Sequence, residues 1–165
     1  LDTTKLHFGY YFPLIDKWKI YSPDDPERKW FGNVPNTTME GLGSLPKTSE
    51  SVIITKSRKD RIILKKIYPD VCSCQNESEG SISKEMDEFF DKNYIKKYCW
   101  FDTDEPGKKA NMRLNYRGYK WINVPNNMYL EFGLKDPGDV LKHFGPLKGY
   151  IYLAEQLENK KLITI

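Results

Sequence analysis

The sequence predicts an α/β fold, in which a parallel sheet of about four strands is flanked by helices and preceded by a small β-containing segment. Short apolar runs alternate with helix-like stretches from residue 51 to residue 144, whereas the first 47 residues are rich in Tyr, Trp, Pro and Gly. Parallel neighbours in a sheet need crossover connections, which are right-handed, and this alternation therefore places helices on both faces. In such sheets, ligands bind beyond the carboxyl ends of the strands.

Length and composition predict one main core. The chain has 165 residues, of which 39% are hydrophobic, and its net charge is only +3. This excludes a global basic field, so that nucleic-acid contacts would require local clusters of positive charge. No stretch approaches the roughly 18 apolar residues needed to span a bilayer, and we expect a cytoplasmic protein without a membrane partner.

Three cysteines, Cys72, Cys74 and Cys99, lack the paired C-x-x-C spacing of a zinc ribbon. Their odd number favours a reducing compartment. We interpret Cys72 and Cys74 as small residues of a buried strand rather than as metal ligands.

Residues 1–48 form the predicted N-terminal segment. Extended signals occur at residues 17–21 and 29–34, with turn residues between them. Cations alternate there with aromatic residues, and the candidate nucleic-acid-binding residues in this segment are Lys19, Arg28 and Lys29. Cations bind phosphates, and aromatic rings can stack on unpaired bases. The candidate rings are those of Trp18, Tyr21, Trp30 and Phe31. Alternatively, these aromatic residues fasten the segment to the main domain.

The first half of the α/β region begins with a β-branched strand at residues 52–55. A helix at 59–67 and a second strand at 70–74 follow. Behind a Ser83 cap, Met86, Phe89, Phe90 and Ile95 recur at helical spacing, which predicts a helix over residues 84–96.

The second half continues the alternation. A third strand at residues 98–101 leads into a helix that ends near Tyr116, before Gly118, and a fourth strand is predicted at 120–124. A helix at 140–144 follows, and residues 147–165 form a predicted C-terminal helix or tail.

Asp102 and Asp104 follow the third strand directly and stand two residues apart. At a strand tip, such carboxylates can point to one position, and carboxylate oxygens suit Mg²⁺, which is held by one or two carboxylates together with substrate phosphates. The alternative is an ordinary turn or helix cap, where such pairs are common. The position between an apolar strand and a Pro-Gly helix start favours a site.

A second acidic cluster spans residues 135–139, in the loop after the fourth strand. We expect it at the same edge of the sheet, with Asp136 as the candidate metal ligand. The alternative is that Asp136 or Asp139 only caps the following helix.

Three segments of the chain resemble the Toprim family of primases, topoisomerases and certain nucleases. Residues 101–107 (FDTDEPG) look like the F-D-x-D-x-A-G segment, residues 135–139 (KDPGD) are similar to the primase K-D-P-x-D segment, and residues 53–60 (IITKSRKD) occupy the place of the first motif. The resemblance predicts a Toprim domain over residues 49–146. The N-terminal segment also looks like the region that precedes Toprim in phage primases.

The resemblance implies a DNA primase, which copies single-stranded DNA into short primers from nucleoside triphosphates. It implies a magnesium or manganese ion held by Asp102, Asp104 and Asp136, with Lys59 and Lys135 binding nucleotide or nucleic acid. A replicative helicase is an expected partner, and the expected location is the bacterial or phage-infected cytoplasm.

The first motif departs from the family pattern E-G-x-x-D, because Lys56 stands where the family has Glu, whereas Asp60 is retained. A lysine cannot bind Mg²⁺ but can attract phosphate or a carboxylate. We expect both residues to take part in catalysis, although Lys56 could instead be a strand-end lysine that reaches solvent. Glu77, in the loop after the second strand, could supply the missing carboxylate, unless that loop is simply solvated.

Two other functions remain open. The substitution at Lys56 would suit a catalytically weakened module that binds nucleic acid or a replication partner. A Toprim nuclease is the third possibility, but the K-D-P segment and the N-terminal segment favour a primase.

Overall fold

The computed structural model describes residues 4–75 and 78–164. Near the N-terminus, strands β1 (Phe8–Phe12), β2 (Lys17–Tyr21) and β3 (Trp30–Gly32) form an antiparallel sheet. The extended signals at residues 17–21 and 29–34 predicted β2 and β3. The sequence analysis did not predict β1, which pairs with β2 along its whole length.

The main sheet has five strands in the order β4-β6-β5-β7-β8. They are β4 (Met39–Glu40), β5 (Ser49–Thr55), β6 (Val71–Cys74), β7 (Tyr94–Trp100) and β8 (Lys120–Trp121). Strands β5 to β8 pair in parallel, which confirms the predicted fold class. Only β4 is antiparallel. This fifth strand comes from the N-terminal segment, so that segment is joined to the main sheet by backbone hydrogen bonds.

The described residues also form six α-helices: α1 (Arg58–Leu64), α2 (Lys84–Asn93), α3 (Glu105–Tyr116), α4 (Asn126–Phe132), α5 (Pro137–Phe144) and α6 (Pro146–Glu158). Alternate residues of β5 point to opposite faces, which produces two cores. Val52 and Ile54 pack with residues of α2 and α3. Ile53 packs on the other face with residues of α1, α5 and α6, which confirms helices on both faces.

The three cysteines lie in β6 and β7 and are fully buried and unpaired. Burial raises the pKa of the Cys72 and Cys99 thiols to about 12. Their placement in buried strands is therefore as predicted, and their thiols stay protonated at neutral pH.

The predicted helix over residues 84–96 is too long at its C-terminal end. Helix α2 ends at Asn93, and β7 begins at Tyr94, whose backbone pairs with Ser49. Tyr94 is buried against Phe90, whereas Ile95, which we expected on the helical face, is 82% exposed. Pairing with β5 and burial of Tyr94 outweigh the helical spacing of Ile95.

Two further helical features differ from the prediction. Helix α4 was not predicted, and no residue within it is buried, so it carries little periodic signal. Helix α5 begins at Pro137, three residues before the predicted start, because Asp136 provides its N-cap. Within the described part of the chain, no helix has both the length and the apolar character needed to cross a membrane.

Candidate nucleic-acid and nucleotide site

A cleft of about 510 Å³ lies between the N-terminal sheet and the carboxyl end of the main sheet. One side, the aromatic wall, consists of Tyr10, Lys19, Tyr21, Lys29 and Trp30. The other side, the charged wall, contains most of the predicted site residues: Lys56, Lys59, Asp60, Asp102, Lys135 and Asp136. The predicted convergence of separate loops at one edge of the sheet is therefore present.

The first loop of the charged wall connects β5 to α1. Ser57 caps α1 by accepting a hydrogen bond from the backbone N–H of Asp60, and its hydroxyl donates to Asp60 Oδ2 over 2.7 Å. This reciprocal arrangement fixes the first helical turn. It leaves Lys56 just before the cap and Lys59 within the first turn, and both side chains line the cleft.

The second loop connects β7 to α3. Asp104 caps α3 by accepting the N–H of Gly107, and Asp102 is buried next to it. A β-carbon on Gly107 would lie 2.1 Å from the carbonyl oxygen of Asp102, so only glycine permits this close approach. Thr103 N–H donates to the carbonyl of Lys135, which joins this loop to the third one.

The third loop carries residues 135–139. Asp136 caps α5 by accepting the N–H of Asp139, so it has the capping role that the alternative named, but not that role alone. Asp139 instead accepts the backbone N–H of Lys135. Both acidic residues line the cleft, and Asp136 keeps its second carboxylate oxygen for a side-chain partner.

Lysines pair with the carboxylates of the charged wall. Lys56 Nζ donates to Asp102 Oδ2 over 2.7 Å, and Lys59 Nζ donates to Asp136 Oδ2 over 2.7 Å. Lys135 Nζ lies 3.6 Å from Asp102 Oδ2 and 3.5 Å from Asp104 Oδ2. Asp104 is not one of the described residues that line the cleft, and Lys135 connects it to Asp102.

Asp60 is the most strongly perturbed carboxyl group of this wall. Burial, together with the negative charge of Asp136, raises its pKa to about 7, although Lys59 and the Ser57 hydroxyl oppose this. Its Oδ1 atom is buried and has no hydrogen-bond partner. Asp60 can therefore gain or lose a proton near neutral pH, which is a common property of functional carboxyl groups.

Lys59 and Lys135 of the charged wall keep their positive charge. Burial disfavours the charged form of Lys59, but the hydrogen bond to Asp136 and the nearby carboxylates raise its pKa above the ordinary value. Burial likewise opposes charge on Lys135, while Asp102 and Asp104 raise its pKa. These two ammonium groups lie beside Asp136, Asp102 and Asp104.

The aromatic wall presents stacked rings. Tyr21 and Trp30 stack with their centroids 4.4 Å apart, and Tyr10 lies 5.8 Å from Trp30. Lys19 Nζ is 4.1 Å above the Trp30 ring. Trp30 remains 43% exposed, so part of its surface is open to a ligand.

Arg28 is placed differently from the other predicted nucleic-acid-binding residues. Its guanidinium lies 4.9 Å from the centroid of Phe31, and Arg28 is not among the described residues that line the cleft. Strand pairing explains this, because Phe31 points to the face of β3 opposite to Trp30. Lys19, Lys29, Lys59 and Lys135 all line the cleft.

Some of the aromatic residues also fasten the N-terminal sheet to the main domain, as the alternative interpretation proposed. The guanidinium of Arg58 in α1 lies 4.3 Å from the centroid of Tyr10 and 5.5 Å from that of Phe12, and it forms an ion pair with the buried Glu40. Tyr10 and Phe12 therefore have an attachment role, whereas Trp30 is more open.

The carboxylates do not form a ready-made metal site in this arrangement. Among the described residues, no group of three or more His, Cys, Asp or Glu side chains is placed to hold a metal ion. Oxygens that would bind a cation contact lysine ammonium groups instead. Glu77, the proposed replacement carboxylate, lies outside the described residues.

Several residues of the site could not be recognised from the sequence. Tyr10 lines the cleft but belongs to the strand that was not predicted. Gly107 and Gly138 lie within the FDTDEPG and KDPGD segments, at positions where a side chain would collide with other site residues. A β-carbon on Gly138 would lie 2.6 Å from Lys59 Nζ, so this glycine leaves room for the ion pair with Asp136.

No family model matches the sequence, and no curated protein sequence matches it significantly. Solved structures do match. The primase fragment of the bacteriophage T7 primase-helicase protein has a TM-score of 0.63 at 17% identity, covering 92% of this chain and 64% of that one. The DnaG primase catalytic domain bound to single-stranded DNA has a TM-score of 0.62 at 10% identity, covering 94% of this chain and 51% of that one.

A third match is a structure of the bacteriophage T7 lagging-strand DNA polymerase interacting with primase domains bound to an RNA/DNA hybrid and dTTP. Its TM-score is 0.67 at 16% identity, and the alignment covers 87% of this chain and 70% of that one. The chain thus spans between half and about two thirds of the two primase chains above. These similarities agree with the Toprim resemblance of the three sequence segments, and the chain has the fold of primase catalytic domains.

Proposed function

We propose that this chain is the nucleotidyl-transfer domain of a DNA primase, which makes short primers on single-stranded DNA. The observation that carries the proposal is the cleft itself, where an aromatic wall faces a wall of lysines and carboxylates. The matched structures, which include primase domains bound to single-stranded DNA or to an RNA/DNA hybrid and dTTP, support the same function.

The chemistry joins the 3′-hydroxyl of a growing strand to the α-phosphate of an incoming triphosphate and releases pyrophosphate. Lys56, Lys59 and Lys135 supply positive charge beside the cleft, where ammonium groups can bind phosphate oxygens. Asp60, whose pKa is about 7, is the proposed acceptor of the hydroxyl proton, because a base with a pKa near the working pH is efficient.

Mg²⁺ or Mn²⁺ remains the proposed cofactor, with Asp102, Asp104 and Asp136 as the proposed ligands. When bound, a divalent ion would neutralise charge on the triphosphate. Because Lys56 and Lys59 contact these carboxylates, the ion would have to compete with them.

The template would lie along the aromatic wall. Unpaired bases can stack on the exposed ring of Trp30, while Lys19 and Lys29 are placed to contact phosphates. We further propose that the protein works in the bacterial or phage-infected cytoplasm, where a replicative helicase could be its partner.

Primer synthesis on a single-stranded oligonucleotide tests this proposal, with the chain and the full-length gene product assayed in parallel. Incorporation of labelled ribonucleotides should depend on the template and fall at least about a hundredfold in Asp102→Asn, which removes a charge that organises Lys56 and Lys135. Asp91→Asn is the matched control. Its carboxylate pairs with Lys97 at 2.6 Å but does not line the cleft, and this variant should stay active.

One observation favours the alternative of a nucleic-acid-binding module without synthetic activity, namely the pairing of Asp102 and Asp136 with lysines. Template-dependent binding without any incorporation, by both the chain and the full-length product, would establish that alternative.

A further inference from the structure

Asp102 lies between two ammonium groups, those of Lys56 and Lys135. The residue is 1% exposed, its Oδ2 atom accepts from Lys56 Nζ at 2.7 Å, and Lys135 Nζ lies 3.6 Å away. A buried carboxylate needs a compensating charge, because desolvation strongly disfavours an isolated ion. The chain supplies that charge from its own side chains.

The same arrangement is repeated at Asp136, which is 7% exposed and accepts from Lys59 at 2.7 Å. Lys56 precedes the Ser57 cap, Lys59 lies in the first turn of α1, and each contacts a carboxylate of a different loop. Residues 56–59 therefore supply two counter-ions to the edge of the sheet. The Ser57 cap of α1 fixes the position of this segment.

The two lysines differ in how easily a ligand could replace them. The Lys59 side chain is 55% exposed, whereas the Lys56 side chain is 28% exposed and its partner Asp102 is more deeply buried than Asp136. Charge interactions strengthen as water is excluded, so the pair between Lys56 and Asp102 is the stronger barrier to an incoming cation. An anion, by contrast, meets ammonium groups that line an open cleft.

We propose that Lys56 is the resident counter-ion of Asp102, and that it makes this edge of the sheet a weak site for a free divalent cation and a good site for a polyphosphate. The inference rests on the proposed function, because the polyphosphate would be that of a nucleoside triphosphate. Lys56 would thus favour binding of the anion over binding of the cation. A bound polyphosphate would compete with Asp102 for the Lys56 ammonium, and Asp102, once released from that ion pair, would be a possible ligand for a divalent ion.

Direct binding measurements on the chain test the inference without template or nucleotide. Mn²⁺ binding is followed by electron paramagnetic resonance, and inorganic tripolyphosphate binding by calorimetry in the presence of a chelator. In Lys56→Gln, Mn²⁺ should bind at least about fivefold more tightly than in the wild type, and tripolyphosphate at least about fivefold more weakly. Unchanged or weaker Mn²⁺ binding by a folded Lys56→Gln chain overturns the proposal.

Lys96→Gln is the matched control, because Lys96 forms an ion pair of 2.6 Å with Glu50, and neither residue lines the cleft. It should leave both affinities unchanged. An equal gain in Mn²⁺ affinity in Lys96→Gln would also overturn the proposal, since it would show a general effect of net charge.

A measurement on the wild-type chain covers the case in which Lys56→Gln does not fold. Without polyphosphate, Mn²⁺ should broaden the amide resonances of Asp102 and Thr103 only at millimolar concentration. Broadening at low micromolar concentration rejects the counter-ion role. Because these experiments contain no template and no nucleotide, they can fail while primer synthesis succeeds, and they can succeed while primer synthesis fails.

Discussion

The two walls of the cleft differ in how much of their binding capacity is already used by contacts within the chain. In the charged wall, Lys56, Lys59 and Lys135 pair with carboxylates, and helix caps fix the loops that carry them. In the aromatic wall, Trp30 stacks on Tyr21 but keeps 43% of its surface exposed. A ligand can therefore stack directly on the aromatic wall. To bind the charged wall, it must first replace one partner of an existing ion pair.

Disturbing the backbone of the charged wall should reduce both stability and activity. Gly107→Ala places a β-carbon against the Asp102 carbonyl, which must move, and an overpacked site of this kind costs about 1–3 kcal/mol of folding free energy. Primer synthesis should fall about a hundredfold, because small displacements of site residues are costly. A chain that melts as the wild type and keeps full activity would show that the position of Asp102 is unimportant.

Gly43→Ala is the control for this variant. The atoms nearest to a β-carbon at Gly43 belong to the Leu14 side chain and lie at 3.5 Å or more, so both stability and activity should change little.

The pKa of Asp60 depends on the neighbouring charges of the charged wall. Its pKa is raised from 3.8 to about 7 in the folded chain, so the folded chain binds this proton more tightly than the unfolded chain. The resulting stabilisation is complete below the ordinary pKa and is lost as the pH rises through about 7. The loss amounts to at most about 4 kcal/mol.

Denaturant unfolding at pH 5 and pH 8 measures this contribution. The Asp60→Asn variant cannot ionise, and its stability should therefore decrease less than that of the wild type between the two pH values. Identical pH dependence in both proteins would mean that Asp60 ionises normally.

The aromatic wall should respond through binding rather than through stability. Trp30→Ala should weaken binding to a labelled single-stranded oligonucleotide by about 1–3 kcal/mol, the contribution of one stacked base. Trp18→Ala is the matched control, because Trp18 is 51% exposed but does not line the cleft. Equal losses in fluorescence anisotropy titrations of both variants would place the nucleic acid elsewhere.

The salt dependence of binding should distinguish two neighbouring cations of the N-terminal segment, Lys29 and Arg28. Lys29 lines the cleft, whereas Arg28 packs against Phe31. Lys29→Ala should lower the dependence of log Kd on log salt concentration by about 0.7, the value for one phosphate contact with a single strand. Arg28→Ala should leave this slope unchanged. A reversed result would assign the phosphate contact to the outer face of the sheet.

Sequence patterns predicted the α/β alternation well, because buried strands such as β5 and capped helices such as α3 carry strong local signals. They also located Asp102, Asp104 and Asp136 at one edge of the sheet. They failed at Ile95, where strand pairing overrides helical spacing, and at α4, in which no residue is fully buried. Lys56 was identified by its departure from the family motif, but only as a cation near phosphate or carboxylate.

Local sequence patterns specify the order of the elements, the strand ends that carry acidic residues and the alternation of cations with aromatic residues. Which lysine pairs with which carboxylate depends on the tertiary structure. Lys56 and Asp102 are 46 residues apart in the sequence, and Lys59 and Asp136 are 77 apart. The tertiary structure also decided that Trp30 faces the cleft while Phe31 and Arg28 face away. Such pairings depend on strand order and loop packing, which set the distances between charges and which no local pattern encodes.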